Sequence, residues 1–290
     1  MTQIITALSE ISDRYDALFV DLWGCVHNGV RAIPSAVQAL TDYRARGGAV
    51  ILVTNAPRAR DDVARQLEYF GVPKDAYDDI ATSGDSARAA MFQGAVGQKV
   101  WFMGQRHDLS FFEPLDLLEN PVAISRVPFE EAEGIICCGP EDPHADPDVY
   151  RGKLLYAKQK GMKLLCANPD IVVDRGDRRE YCAGAVAQLY TEMGGESLYF
   201  GKPHPPIYDL ARRRLAEHRK GVQDAGILAI GDGPATDIRG AMGEDIDSLF
   251  ITGGLAREET KTTQGPDTDA LSAYIQKEMI NPSFAMGTLA

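Results

Sequence analysis

Short, continuous apolar runs recur along the chain, and most are followed by a turn and then by helical periodicity. The runs are "ALFVD" (17–21), "AVILVTN" (49–55), "KVWFMG" (99–104), "GIICCG" (134–139), "KLLCAN" (163–168), "SLYFG" (197–201), "GILAIGD" (226–232) and "SLFITG" (248–253). Unbroken rather than alternating hydrophobicity predicts strands covered on both faces, the habit of parallel sheets. Between them, Pro34–Arg46 carries Val37, Leu40 and Tyr43 on one face, with Gly47-Gly48 as a stop. Pro57–Phe70 repeats the arrangement with Val63, Leu67 and Phe70 ahead of Gly71, and Pro206–His218 aligns Ile207, Leu210, Ala211 and Leu215. Alternating strands and helices predict an α/β doubly wound fold. No repeat or low-complexity tract interrupts the pattern. The polar segment "REETKTTQGPDTD" predicts a surface loop before a last short helix.

Composition narrows the class. The 290 residues suit one large domain or two ordinary ones, and 44% hydrophobic with 25% charged residues is a globular balance. A net charge of -12 argues against a nucleic-acid surface, which needs clustered Lys and Arg. It leaves a small phosphate ligand open, because one lysine, a divalent cation and a few N–H groups overcome the global field at short range. No apolar run approaches the ~20 residues of a membrane span. The start, "MTQIITALSEISDRYD", lacks the basic-then-apolar order of a secretory leader, so the expected compartment is the cytoplasm. Cys25, Cys137, Cys138, Cys166 and Cys182 are odd in number, form no C-x-x-C pair and sit among apolar neighbours. They are expected to be buried free thiols.

In open α/β sheets ligands bind beyond the carboxyl ends of the strands. At those ends stand Asp21, Thr54-Asn55, Gly201-Lys202-Pro203 and Gly231-Asp232-Gly233, the last followed by Thr236-Asp237. Singly, each is ordinary turn chemistry: an Asp caps, a Thr-Asn pair turns, a lysine before proline is a solvated charge. Together they are carboxylates, a hydroxyl, an amide and a lysine on one rim, the set needed for a phosphoryl group and a hard cation. "GDGPATDIRG" lacks G-x-G-x-x-G, no P-loop pattern occurs, and His107, His144, His204 and His218 show no zinc spacing.

The order of these groups resembles the haloacid dehalogenase superfamily. Asp21 in "DLWG" matches its nucleophile, Thr54 in "LVTNA" its second motif, and Lys202 in "GKPHPPIY" its third. Asp232 and Asp237 in "GDGPATDIRGA" match the fourth. The likeness extends over nearly the whole chain, and the long gap between Thr54 and Lys202 resembles the class IIA branch. That branch carries an α/β cap domain between motifs two and three and includes phosphatases of nucleotides, sugar phosphates and pyridoxal phosphate. "TSGDSARAAM" (82–91) is similar to its crossing into the cap, and "NPD" with "GAVAQLY" to cap elements.

The resemblance implies a doubly wound, Rossmann-like core of residues 1–84 and 195–290 with an inserted cap of 85–194. It implies a Mg²⁺-dependent phosphohydrolase of a small phosphorylated metabolite, acting through an aspartyl-phosphate on Asp21. Mg²⁺ would be held by Asp21, the main-chain carbonyl of Trp23, Asp232 and Asp237. Lys202 would restrain Asp21 and stabilise the transition state, while Thr54 and Asn55 would take phosphate oxygens. Substrate choice would fall to "NPDIVVD" and "EYCAGAVAQ" in the cap. The expected partner is a small phosphorylated metabolite, with neither nucleic acid nor membrane, and a homodimer stays open.

One position departs from the family pattern. The residue two places after the nucleophile is ordinarily an Asp that exchanges a proton with the leaving group, and here it is Trp23. An indole N–H is too weak an acid for that work, although its main chain still offers a carbonyl. Positioned proton transfer is typically worth ~10²–10⁴-fold. His27 is a candidate substitute donor, set against its simpler role as a hydrogen-bonded turn residue. Two other readings stay open: a metal-independent dehalogenase or similar hydrolase whose leaving group needs no proton, and a degenerate phosphate-binding module. The metal-type acids weigh against the first, and retention of Asp21, Thr54, Lys202 and Asp232 against the second.

Overall fold

A computed structural model of the chain describes residues 2–115, 118, 120–175 and 178–290. Its strands, in chain order, are β1 (Gln3–Ile4), β2 (Ala17–Val20), β3 (Ala49–Thr54), β4 (Asp79–Thr82), β5 (Lys99–Met103), β6 (Ser125–Arg126) and β7 (Gly134–Cys137). They continue as β8 (Lys163–Cys166), β9 (Val172–Arg175), β10 (Arg178–Tyr181), β11 (Glu196–Tyr199), β12 (Ile227–Gly231), β13 (Asp247–Ile251) and β14 (Phe284–Met286). The helices are α1 (Pro34–Ala45), α2 (Arg60–Phe70), α3 (Ser83–Phe92), α4 (Arg151–Gln159), α5 (Ala183–Glu192), α6 (Pro205–His218), α7 (Arg239–Gly243) and α8 (Thr268–Glu278).

Two compact units result. The first comprises Met1–Thr54, Asp61–Ala81 and Lys202–Ala290; the second comprises Asn55–Arg60 and Thr82–Gly201. The first holds a seven-stranded sheet in the order β1-β14-β13-β12-β2-β3-β4, with β14, β13, β12, β2 and β3 parallel. Every residue of β2, β3 and β12 is buried, which is why those segments read as unbroken apolar runs. Ile207, Leu210, Ala211 and Leu215, the stripe expected on α6, pack with Phe19, Ile51 and Ile227 in one core. From β2 the chain first builds outward through β3 and β4, and later returns to place β12 on β2's other side. The order therefore reverses between β2 and β12, the kind of crevice where α/β sheets bind ligands.

The second unit has a five-stranded sheet, β11-β8-β7-β5-β6, all parallel, and a separate antiparallel β9–β10 hairpin. Strand β11 pairs with β8 from Glu196↔Lys163 to Tyr199↔Cys166. The sequence-based boundary at 194/195 thus falls one strand short, for β11 completes this sheet rather than the larger one. "NPDIVVD" lies in the turn after β8 and the first strand of the hairpin, and "EYCAGAVAQ" spans the end of β10 and the start of α5. All five cysteines are free and buried. No helix among the described residues is long and apolar enough to cross a membrane.

Candidate active site

Four of the expected residues, Asp21, Asp232, Asp237 and Lys202, meet at the carboxyl edge of the larger sheet, and register puts the first two there; Lys202 follows β11 of the other sheet rather than a strand of this one. Val20 is level with Ile230 on β12 and Leu52 on β3, and the N–H of Asp21 donates to the Ile230 carbonyl at 2.8 Å. Asp21 thus emerges beside Asp232, each one residue past neighbouring strands. Asp237 reaches the same spot through a π-turn, Pro234–Ile238, that leads into α7. Its Oδ2 accepts from the Gly233 N–H at 3.0 Å and from the Thr236 hydroxyl at 3.3 Å, which fixes the carboxylate.

Lys202 ties the group together. Its Nζ donates to Asp21 Oδ1 at 2.5 Å, Asp237 Oδ1 at 2.6 Å and the Val53 carbonyl at 2.9 Å. The side chain is almost wholly buried, as are Asp21, Asp232 and Asp237. Burial opposes charge on this ammonium, but Asp21 and Asp237 outweigh it and hold its pKa well above the ordinary value. Burial pushes Asp21 up to about 7, Asp237 adds to the rise, and Lys202 and the Leu22 N–H oppose it. Asp232 is raised well above the usual carboxylate range by burial first, then by the charges of Asp21 and Asp237, with the Leu255 N–H opposing. Three buried carboxylates share one ammonium, so ionising all of them here is costly, and a divalent cation would relieve that cost.

The packing around Asp232 is specific. A Cβ at Gly24 would lie 2.2 Å from Asp232 Oδ2, and one at Gly254 only 1.9 Å from it. Gly24 also has φ +77°, a conformation glycine adopts at no cost. The two glycines let two loops close on the carboxylate, and the Leu255 N–H donates to Oδ2 at 3.1 Å. Oxygens of Asp21 and Asp232 and the sulfur of Cys25 lie within 4.8 Å of one another. Two converging carboxylates are hard oxygen donors and fit Mg²⁺, and the Trp23 main-chain carbonyl, two residues after Asp21, is a further oxygen donor of the same loop. Asp237 is not in that close group; its Oδ1 is engaged by Lys202.

Thr54 closes β3, beside β2, and is buried. Asn55 belongs to the second unit, where its Nδ2 donates to Asp170 Oδ1 at 2.8 Å. The Trp23 indole is 39% exposed and lies over Gly29, where a Cβ would meet the ring at 2.3 Å. His27 meets that ring edge-on at 5.6 Å and packs against Phe70 at 5.0 Å. Its Nδ1 accepts from the Gly29 N–H at 3.0 Å, and burial pushes its pKa down to about 4. His27 is therefore a neutral imidazole locked in a turn rather than a charged proton donor. Gly24, Gly254, Leu255 and Val53 escaped sequence reasoning. Of these only "TGG" after β13 gave a signal, a glycine pair at a strand's carboxyl end.

Comparison with known proteins identifies the family of the fold. A haloacid dehalogenase-like hydrolase family model matches residues 18–117, and a HAD-hydrolase-like model matches 199–275. A crystal structure of a hydrolase of the haloacid dehalogenase-like family from Brucella suis 1330 is 36% identical with TM-score 0.84, covering 99% of this chain and 100% of that one. D-glycerol 3-phosphate phosphatase of Mycobacterium tuberculosis is 27% identical over 86% of this chain, a match that spans just under two thirds (66%) of the mycobacterial protein. Phosphoglycolate phosphatase 1A, chloroplastic, of Arabidopsis thaliana is 22% identical over 88% of this chain and 73% of its own length. With the reversed strand order, the buried Asp21–Lys202–Asp237 chain and these matches together, the chain belongs to the haloacid dehalogenase-like hydrolases.

Proposed function

We propose that the protein is a Mg²⁺-dependent phosphohydrolase of a small phosphorylated metabolite, acting through an aspartyl-phosphate on Asp21. The observation that supports this most is the buried contact of Lys202 with both Asp21 and Asp237, beside an Asp232 that has few partners of its own. Lys202 holds the Asp21 carboxylate in one orientation and lowers its repulsion from an incoming phosphate dianion. An Asp21 oxygen attacks phosphorus in line; the P–O bond to the leaving group breaks, and the alcohol takes its proton from water. A second water then attacks the acyl-phosphate, releasing inorganic phosphate and restoring the Asp21 carboxylate. Thr54, at the end of the adjacent strand, donates to a non-bridging oxygen, and Asn55 follows it as a further candidate.

Asp21, Asp232 and the Trp23 carbonyl would hold the cation, which supplies charge neutralisation at the transferring oxygens. Asp237 holds Lys202 and would support the cation from outside the two closest carboxylates. With Trp23 an indole and His27 neutral, no side chain two or six places after the nucleophile protonates the leaving group. Substrates whose leaving groups need little protonation are therefore favoured. The relatives named for glycerol phosphate and phosphoglycolate are consistent with a small phosphorylated substrate.

The test is inorganic phosphate release across a panel of phosphorylated metabolites, with Mg²⁺ and with EDTA. Release that requires Mg²⁺ is expected. Halide release without metal from haloacids, or ligand binding with no turnover on any member, would overturn the proposal.

A further inference from the structure

We infer that the cation pocket has a second mode, in which Cys25 joins Asp21 and Asp232 to capture a thiophilic divalent ion such as Zn²⁺ or Cd²⁺. The inference does not depend on the phosphatase reading, because it concerns binding alone. The Cys25 sulfur and one oxygen from each carboxylate already lie within 4.8 Å of one another, and all three residues are buried. Ligand atoms sharing one Zn²⁺ ion stand about 3.5 Å apart, with sulfur at about 2.3 Å and oxygen at about 2.1 Å from the metal. A closing movement of roughly an ångström per side chain would complete the O₂S set.

The Cys25 thiol is completely buried beside these carboxylates and makes no hydrogen bond among the described residues. Asp232 accepts one, at Oδ2 from the Leu255 N–H. The other four cysteines lie in the second unit and occupy no such carboxylate cluster among the described residues. A hard ion such as Mg²⁺ has no use for the sulfur and binds through oxygens alone. A soft or borderline ion gains a thiolate, and the thiol proton passes to solvent as the metal–sulfur bond forms. Held this way, Asp21 is no longer free to attack, so the soft ion blocks the site rather than serving it.

Cadmium is the probe, since a cadmium–thiolate bond carries an ultraviolet charge-transfer band that needs no turnover to read. The native chain is expected to develop that band with one equivalent of Cd²⁺. C25S should lose it and bind Cd²⁺ at least tenfold more weakly while its Mg²⁺ affinity, measured by direct titration, stays within about twofold. D232N, which keeps all five thiols, should also lose the band. Persistence of the band in C25S or D232N, absence of any band in the native chain, or equal loss of Mg²⁺ and Cd²⁺ affinity in both C25S and C25A would overturn the inference.

Discussion

Asp21 and Lys202 are 181 positions apart, yet their side chains share a buried contact at 2.5 Å. Each residue type at the site was visible in the sequence, and the family resemblance paired Lys202 with Asp21, but no local pattern showed the full set of partners. Asp21 could be singled out because it ends an apolar strand, and Lys202 because it follows another. That Lys202 would divide itself between Asp21, Asp237 and a backbone carbonyl is a property of the folded register, which no local pattern encodes. Exchange of Asp21 for Asn keeps the shape and one acceptor for Lys202 but removes the attacking carboxylate. Phosphate release should fall by at least ~10³-fold with the circular dichroism spectrum unchanged; retained turnover would exclude Asp21 as nucleophile. Trp23→Asp should restore a proton donor and raise kcat/KM on alkyl phosphates by ~10-fold or more, and far less on aryl phosphates. Equal gains on both ester types would refute the account of the indole. His27 offered two readings in the sequence, and burial with an inward Gly29 N–H decides for the turn.

At the scale of elements, the strands that were easiest to read are those buried on both faces, β2, β3 and β12. The short pieces β1, β6 and β14 are two or three residues long and leave no periodicity to detect. Strand β4 was hidden too, since "DIAT" contains an acid, a small residue and a hydroxyl. The loops around Asp232 were opaque for a different reason: a glycine announces freedom of backbone, not the group it makes room for. Gly254→Ala should displace the Asp232 carboxylate, because the new methyl would start 1.9 Å from Oδ2. Mg²⁺ affinity is expected to fall by ~10-fold or more while secondary structure is retained, a result isothermal titration and circular dichroism can deliver together. An unaltered affinity would mean that Asp232 does not need this loop to hold its orientation.

For the molecule as a whole, a buried surplus of carboxyl groups links cation binding to folding. Mg²⁺ at about 100 times its dissociation constant should add about 2.7 kcal/mol to the stability of the native chain, a rise of a few degrees in Tm. D232N should show no such rise, and without metal it should melt above the native chain at neutral pH, because a buried acid that must either take up a proton or carry an unneutralised charge is gone. A metal-free D232N that melts lower would assign Asp232 a structural duty instead. The two-unit organisation was legible from the long gap between strand-end motifs, but its far edge was not. Gly194-Gly195 reads as the stop after a helix, and "ESLY" is indistinguishable in composition from a strand of the larger sheet. Only pairing with β8 assigns it. The near edge hides a further detail: the chain enters the second unit briefly at Asn55–Arg60 before committing to it at Thr82. A Cβ on Gly84 would strike the Arg58 backbone at 2.4 Å, and the Arg60 N–H donates to Asp85 Oδ2 at 3.2 Å. A recombinant fragment cut at Thr82 would therefore start life with a bare helix end where six upstream residues belong. Any attempt to graft, swap or express that portion separately must carry the short detour along with it.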